Sequence, residues 1–389
     1  MSWKVAVVAE SVVDLRQKDE KSGNVYARSL GDLLRAHKKD PTIYNRAPSI
    51  FYQDNPQQET QLLFGEQVEV APFSTEWCRV RALEQKKFKN GVWQATVGFI
   101  GCRSVIVSCG RFARNLTVLV PWTHLYQAAG ARRRVVKEVS FGTCLSGLRR
   151  EGDRWIVDTP VGMAAIAATA VLDVAALKKL SNDMLRARLV GAAKLFLGCP
   201  YVWGGCCAWT EAAAVWQPNF IKGQITGVDC SGLMYLVFKV HGLLIPRNAH
   251  DQFLKCDVVP SGDLLLPGDL IFLANPQQNP PHVYHVMMYV GKDNHGKDLI
   301  LEAHGGHAPY GVRVIPTSAY HQLEKRPLKE LRYGSRTQWN IDGCAGTSII
   351  YFGTFFTPRK VCQLRQAFSI INKQGRTHPG FAHEICYNK

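Results

Sequence analysis

Asp229-Cys230-Ser231-Gly232 is the stretch on which the reading of this chain turns. It lies between the aromatic, glycine-rich run Tyr201-Val202-Trp203-Gly204-Gly205 and the later segment His285-Val286-Met287-Met288-Tyr289-Val290-Gly291. After Cys230, the apolar residues Leu233, Leu236, Val237 and Val240 recur at helical spacing up to Gly242, so Asp229 reads as an N-cap and Cys230 as a first-turn residue. A thiol is nucleophilic as its thiolate, and the unpaired amides and positive dipole end of a helix N-terminus favour an anion. The same amides are placed to act as an oxyanion hole, a device worth ~3 kcal/mol per donor. His285 opens an alternating strand after a loop with three prolines, which lets an imidazole project from a sheet edge toward the helix start. The chain therefore reads as an enzyme with a papain-like cysteine nucleophile. With twelve histidines and twelve cysteines in the chain, neither residue stands out except through its flanking pattern.

Working outward, Leu185, Leu189, Ala192, Ala193 and Phe196 predict a helix that ends near Gly198 and Pro200. Residues 270–273, 285–290 and 299–303 read as strands bounded by turns, giving a small sheet packed on two helices. Residues 348–356 read as one more strand or an appendage. The first 176 or so residues carry short β-type runs separated by Gly, Pro and Asn, the pattern of small barrels. A repeat runs through them: Leu63-Phe64-Gly65-Glu66-Gln67-Val68 followed by Trp77 and Val80 is echoed by Ser140-Phe141-Gly142-Thr143-Cys144-Leu145 followed by Trp155 and Val157. Two copies of one module are expected.

Composition narrows the function classes. At 389 residues the chain is long enough for two or three domains. The net charge of +16 raises nucleic acid as a partner, but the basic residues are scattered, their densest run is Arg132-Arg133-Arg134, and no nucleic-acid-binding signature accompanies them; an acidic peptide substrate suits the charge equally. The cysteines show no regular spacing and no Cys-x-x-Cys pair, which points away from a disulfide framework or zinc site and toward a reducing compartment. The N-terminal residues lack the apolar core and cleavage site of a secretory signal, and the longest apolar stretch, 161–177, is interrupted by Asp173. The expectation is a cytoplasmic protein without a membrane segment, export by a non-standard route being the alternative.

The region 185–333 resembles the NlpC/p60 family of cell-wall cysteine peptidases. The resemblance is carried by Pro200-Tyr201-Val202-Trp203-Gly204-Gly205, Asp229-Cys230-Ser231-Gly232-Leu233, Ile245-Pro246-Arg247-Asn248, Pro267-Gly268-Asp269-Leu270-Ile271-Phe272 and the His285 segment. The N-terminal modules resemble bacterial SH3-type domains, and the combination is similar to γ-D-glutamyl-L-diamino acid endopeptidases that process peptidoglycan stem peptides. The resemblance implies an α+β fold: a papain-like NlpC/p60 catalytic domain preceded by two small SH3-like β-barrels. It places Cys230 as nucleophile, His285 as base and then acid, and a third polar residue as the group that orients the histidine. Glu302 holds the motif position for that third role, with His304 as the alternative on the same sheet face. Asp229, with Tyr201 and Ser231, is implied in holding the free amine of an N-terminal L-Ala; helix capping accounts for Asp229 nearly as well. No metal or cofactor is implied. The partners expected are peptidoglycan-derived peptides, with no nucleic acid and no membrane.

The chain departs from the pattern in two places. Ala95-Thr96-Val97-Gly98-Phe99 stands where relatives often carry a Gly-Tyr-x-Gly-Trp run, and the insertion 206–228, with Trp209, Trp216 and Phe220, is longer than usual. The expected domains are residues 1–128 and 129–178 as the two SH3-like modules, 184–334 as the peptidase and 335–389 as an extension. The competing readings are a papain-like amidase, transglutaminase or acyltransferase, and an SH3-type binding protein.

Overall fold

The computed structural model describes residues 2–17, 58–89, 91–107, 114–129, 134–208, 226–305, 311–320, 327–341 and 344–356. The first sheet contains β1 (Lys4–Val8), β2 (Val12–Arg16), β3 (Gln58–Leu63), β4 (Gln67–Pro72), β5 (Trp77–Lys89), β6 (Val92–Gly101) and β7 (Val105–Val107). Its strands alternate as a half-buried sheet should: in β4, Val68 and Val70 face the core and pair across to Ala82 and Val80 of β5. The second sheet contains β8 (Leu116–Val118), β9 (Trp122–Gln127), β10 (Val135–Ser140), β11 (Cys144–Glu151), β12 (Arg154–Asp158), β13 (Ala164–Ala167) and β14 (Val171–Asp173).

The two sheets have one topology. The first runs β3-β2-β6-β5-β4-β1-β7 and the second β10-β9-β13-β12-β11-β8-β14, the same order strand for strand. The repeat extends to individual bonds at the Phe-Gly turns: the Gly65 amide donates to the Val8 carbonyl at 2.9 Å, and the Gly142 amide to the Val118 carbonyl at 3.0 Å. Both glycines have positive φ, +74° and +87°. The turns also link the units. Phe64 leaves its own sheet and is buried in the core of the second module, while Phe141 meets Phe196 edge-on at a centroid distance of 5.1 Å.

The third region begins with the helix Asn182–Lys194, capped by the Ser181 side chain accepting from the Met184 amide. The helix Cys230–Val240 is buried at every residue, as expected of a helix apolar all round. A shorter helix, Ala249–Lys255, leads into β15 (Asp257–Val258), β16 (Leu270–Ala274), β17 (Val283–Lys292), β18 (Asp298–His304), β19 (Gly311–Pro316), β20 (Ser335–Ile341) and β21 (Cys344–Thr354). The sheet order is β15-β21-β16-β17-β18-β19, with β20 paired to β21.

Several expectations change here. No closed ring of pairings occurs in either N-terminal sheet among the described residues, so the barrels expected from the sequence are seen as open strand paths. The second sheet starts at Leu116, ahead of the boundary expected at 129, because β8 and β9 pair with β11, β14, β10 and β13 and not with the first module. The extension expected from 335 instead supplies β20 and β21, and β21 lies against β16 from Ala274↔Ile349 to Leu270↔Gly353, inside the third sheet. These pairings are long-range, and a local reading of apolar runs does not contain them. Cys78 and Cys102 form a disulfide, an exception to the expectation of reduced cysteines. Among the described residues no helix is long and apolar enough to cross a membrane. Trp209, Trp216 and Phe220 lie outside the described residues.

The Phe141-Gly142 turn packs tightly on the Cys230 helix: a Cβ on Gly142 would stand 2.8 Å from Leu236 Cδ2, at a φ of +87°. Gly142→Ala is expected to cost about 1–3 kcal/mol, the scale of a strained non-glycine conformation, and to lower the urea midpoint. An unchanged midpoint in equilibrium unfolding would show that the turn is not under this constraint.

Candidate active site

Cys230 begins its helix with the cap that the sequence suggests. Asp229 Oδ1 accepts from the Gly232 amide at 2.6 Å and from Ser231 Oγ at 3.1 Å. The same carboxylate takes a two-pronged contact from Arg247, Nη1 to Oδ1 at 2.9 Å and Nη2 to Oδ2 at 2.7 Å. Arg247 also donates to Ser231 Oγ at 3.1 Å, the Gly205 carbonyl at 3.1 Å and Thr60 Oγ1 at 2.7 Å. Arg247 is 1% exposed, so its charge is balanced inside the protein by Asp229. The counter-ion of Asp229 is thus a residue of the chain itself. Oδ2 accepts only from Arg247 among the described residues, which leaves a lone-pair direction on a carboxylate that has about four.

His285 and Glu302 meet because strand alternation puts them on one face. Met287 and Tyr289 of β17 and Ile300 of β18 share an apolar cluster, and His285 and Glu302 each stand two residues from a member of it. His285 Nε2 lies 2.7 Å from Glu302 Oε2, and the ring is also hydrogen-bonded to Cys230. With Nε2 engaged by the carboxylate, Nδ1 is the nitrogen left for the sulfur. Glu302 is fully buried and accepts two more bonds, from Tyr320 Oη at 2.7 Å and Arg313 Nε at 2.9 Å. The register pairs Glu302 directly with Arg313 across β18 and β19.

These contacts set the charges. Burial favours the neutral ring in His285, but the hydrogen bonds to Cys230 and Glu302 outweigh it and raise the pKa to about 10. Burial alone would raise Glu302; the His285 hydrogen bond and charge, with His304 and Arg313, bring it down to about 2. Burial and the Glu302 charge push the Tyr320 phenol up, so it stays a donor. The imidazolium form of His285 faces a carboxylate that three donors keep ionised.

Of the two candidates for the orienting position, Glu302 is the one bonded to His285. The His304 Nδ1 stands 3.9 Å from the other Glu302 oxygen, and its ring is perpendicular to that of His285 at a centroid distance of 6.2 Å. The nearest ligand atoms of His285, Glu302 and His304 lie within 4.8 Å of one another, a spacing that a metal ion could bridge. The Arg313 guanidinium on the same carboxylate opposes a second cation there. Tyr201 is brought in as well: it bridges to Val228, next to Asp229, and its ring lies against Gly305, next to His304. All seven residues singled out from the sequence thus gather at one end of the Cys230 helix. Arg247, Thr60, Arg313 and Tyr320 had no assigned role. Arg247 stood within a recognised motif; the other three come from elements whose pairing the sequence does not display.

A cysteine at a helix start, with an imidazole and then a carboxylate in file behind it on neighbouring strands, defines a cysteine hydrolase of papain-like type. The comparisons agree. The NlpC/P60 family profile matches residues 198–319. The chain is 30% identical over 237 residues to the γ-D-glutamyl-L-lysine dipeptidyl-peptidase of Bacillus subtilis, covering 60% of this chain and 69% of that protein. It is 26% identical over 282 residues to the Bacillus cereus protein of the same name, covering 69% and 73%. The crystal structure of an NlpC/P60 family protein from Bacillus cereus matches with a TM-score of 0.60 at 23% identity, over 80% of this chain and 94% of that one. This chain belongs to the NlpC/P60 family, and it is a cysteine hydrolase of that type.

The charge assignments have a pH signature. His285 is raised from 6.5 to about 10, so its contribution to stability is fully present below 6.5 and is lost as pH rises through 10. Glu302 is lowered from 4.5 to about 2, so its contribution is present above 4.5 and is lost as pH falls through 2. Glu302→Gln should therefore show its largest stability deficit between pH 4.5 and 6.5. In the same variant, NMR of the imidazole should show His285 titrating well below the wild-type value. An unshifted titration would remove Glu302 as the source of the ring's charge.

Proposed function

We propose that the protein is a cysteine peptidase that hydrolyses the amide between γ-D-Glu and the diamino acid of peptidoglycan stem peptides. The observation that carries the reading is the Cys230–His285–Glu302 file, joined to relatives named for a γ-D-glutamyl-L-lysine bond. In this reading the sulfur of Cys230 attacks the amide carbonyl, and the oxyanion is held by amides at the start of its helix. The His285 imidazolium gives its proton to the departing amine, leaving a thioester. The neutral ring then takes a proton from water, and hydroxide displaces the sulfur. Glu302 holds the ring in the tautomer with Nε2–H toward the carboxylate throughout.

The two N-terminal sheets we read as SH3-type modules, on the support of their small size, all-β composition and shared strand order. For specificity we propose stem peptides whose N-terminal L-Ala keeps a free amine. The support is the position of Asp229, Ser231 and Tyr201 beside Cys230, with the remaining direction on Asp229 Oδ2 suited to an ammonium donor. Arg247 makes this a shared carboxylate, so Asp229 would direct the amine by hydrogen bonding more than by net charge.

Incubation with L-Ala-γ-D-Glu-diaminopimelate, read by mass spectrometry, should give cleavage at the γ-amide by wild type and none by Cys230→Ala. A folded wild type that leaves the peptide intact would rule the reading out. Glu302→Gln should lower kcat by about 10³–10⁴-fold, the scale seen when a carboxylate that orients a catalytic imidazole becomes an amide, with a smaller loss for His304→Ala. The reverse ranking would give the orienting role to His304. N-acetylation of the peptide should lower kcat/KM by about 10-fold or more, the scale of one lost charge-assisted hydrogen bond. Equal rates would leave Asp229 as a cap and as the partner of Arg247.

A further inference from the structure

A chain of buried polar side chains runs from the first N-terminal module to both ends of the Cys230 helix. At the N-terminal end, Arg247 grips Asp229 and Ser231 with its two terminal nitrogens, while its Nε donates to Thr60 Oγ1 of β3 at 2.7 Å. The Arg247 amide also donates to the Lys86 carbonyl of β5 at 3.3 Å. The Thr60 hydroxyl passes its own proton on to Gln85 Oε1 at 2.6 Å. Gln85 Nε2 donates in turn to the Gln61 carbonyl at 2.9 Å and to Glu66 Oε1 at 3.0 Å. At the other end of the helix, Lys239 Nζ lies 3.2 Å from Glu84 Oε2 and 3.9 Å from Glu66 Oε2. Thr60, Gln85, Glu66, Arg247 and Lys239 are all buried.

The path is costly for an adhesive contact. Two cations are taken out of water where apolar side chains of similar size would join the surfaces as well or better. What charged and directional bonds supply in addition is geometry: each donor has a fixed acceptor, and the hydroxyl of Thr60 must be donor and acceptor at once. The acceptors at the end of the path are the cap of the helix and the residue after Cys230.

We propose that the first N-terminal module is half of the active-site scaffold, with Thr60 and Arg247 as positioning residues that fix where Cys230 stands relative to His285. The proposal rests on the reading of Cys230 as nucleophile, and not on the murein substrate. Thr60 reaches the reacting atoms only through Arg247. Its effect is on the alignment of sulfur and imidazole, where a displacement of about 1 Å is enough to cost 100-fold in rate.

The test uses the full chain and three variants. Thr60→Val keeps the shape and removes the hydroxyl, Thr60→Ser keeps the hydroxyl, and Val13→Ala opens a cavity in the core of the same module without removing any member of the path. Three quantities are read: kcat and KM on the stem peptide, the rate at which iodoacetamide alkylates Cys230 followed by peptide mapping, and the melting temperature. Thr60→Val should lower kcat by about 10–100-fold with KM within about twofold, and should slow Cys230 alkylation several-fold. Thr60→Ser should regain most of both. Val13→Ala should lower the melting temperature at least as far and leave kcat and alkylation as in wild type. Wild-type kcat and alkylation in Thr60→Val would overturn the proposal. So would an equal loss in Val13→Ala, or no recovery in Thr60→Ser. If wild type leaves the stem peptide intact, the proposed substrate is wrong, and the alkylation rates, which need no substrate, still decide the positioning role.

Discussion

The buried ion pair between Arg247 and Asp229 is the interaction around which the rest is arranged. Asp229 caps the Cys230 helix, and a carboxylate at that position would repel any anion beside it if its charge stood alone. Arg247 balances that charge, and its remaining donors reach Ser231, Gly205 and Thr60. One guanidinium therefore holds a helix start, the glycine-rich loop before it and a strand of another module. Removing one partner of such a pair costs about 3–5 kcal/mol, because the other is left as a buried uncompensated charge. The close packing follows from it: Gly205 and Gly232 approach so nearly that a Cβ on Gly232 would collide with the Gly205 carbonyl.

Glu302 is the second fixed point. It is fully buried and surrounded by His285, Arg313 and Tyr320, and each of these contacts favours its ionised form over the neutral form that burial alone would select. This is the physical difference between Glu302 and His304. A carboxylate with positive neighbours can stabilise an imidazolium continuously, whereas a second imidazole offers no permanent charge. Arg313 and Tyr320 thus bear on His285 through Glu302, although neither belongs to the motifs that first drew attention to the site.

The N-terminal duplication has a mechanical logic. Each module turns at a Phe-Gly pair, and each phenylalanine leaves its own sheet to pack into the next unit: Phe64 into the second module, Phe141 against Phe196 at the end of the first catalytic helix. The two copies share their strand order and the hydrogen bonds at this turn, and differ in what the turn meets. The second module also reaches the loop before the site, with Trp122 Nε1 donating to the Ala208 carbonyl and Ser140 Oγ accepting from the Ala208 amide, each at 3.0 Å.

The sequence by itself determined what local patterning encodes. Helical spacing after Cys230, a capping Asp229, alternation around His285 and the repeated Phe-Gly turn were legible because each depends on residues a few positions apart. The seven site residues named from the sequence were legible for the same reason, each lying within a short motif, whereas Thr60, Arg313 and Tyr320 lie outside any such motif. Only the tertiary structure decided which of Glu302 and His304 meets His285, since both sit on one strand face and the outcome depends on distances across β17, β18 and β19. The capture of Asp229 by Arg247, the arrival of Thr60 at that pair and the return of β21 into the catalytic sheet were likewise undecided. These join residues 18, 187 and 75–83 positions apart, the last along β16 and β21, and their energy comes from burial and charge pairing that exist only once the chain has closed on itself.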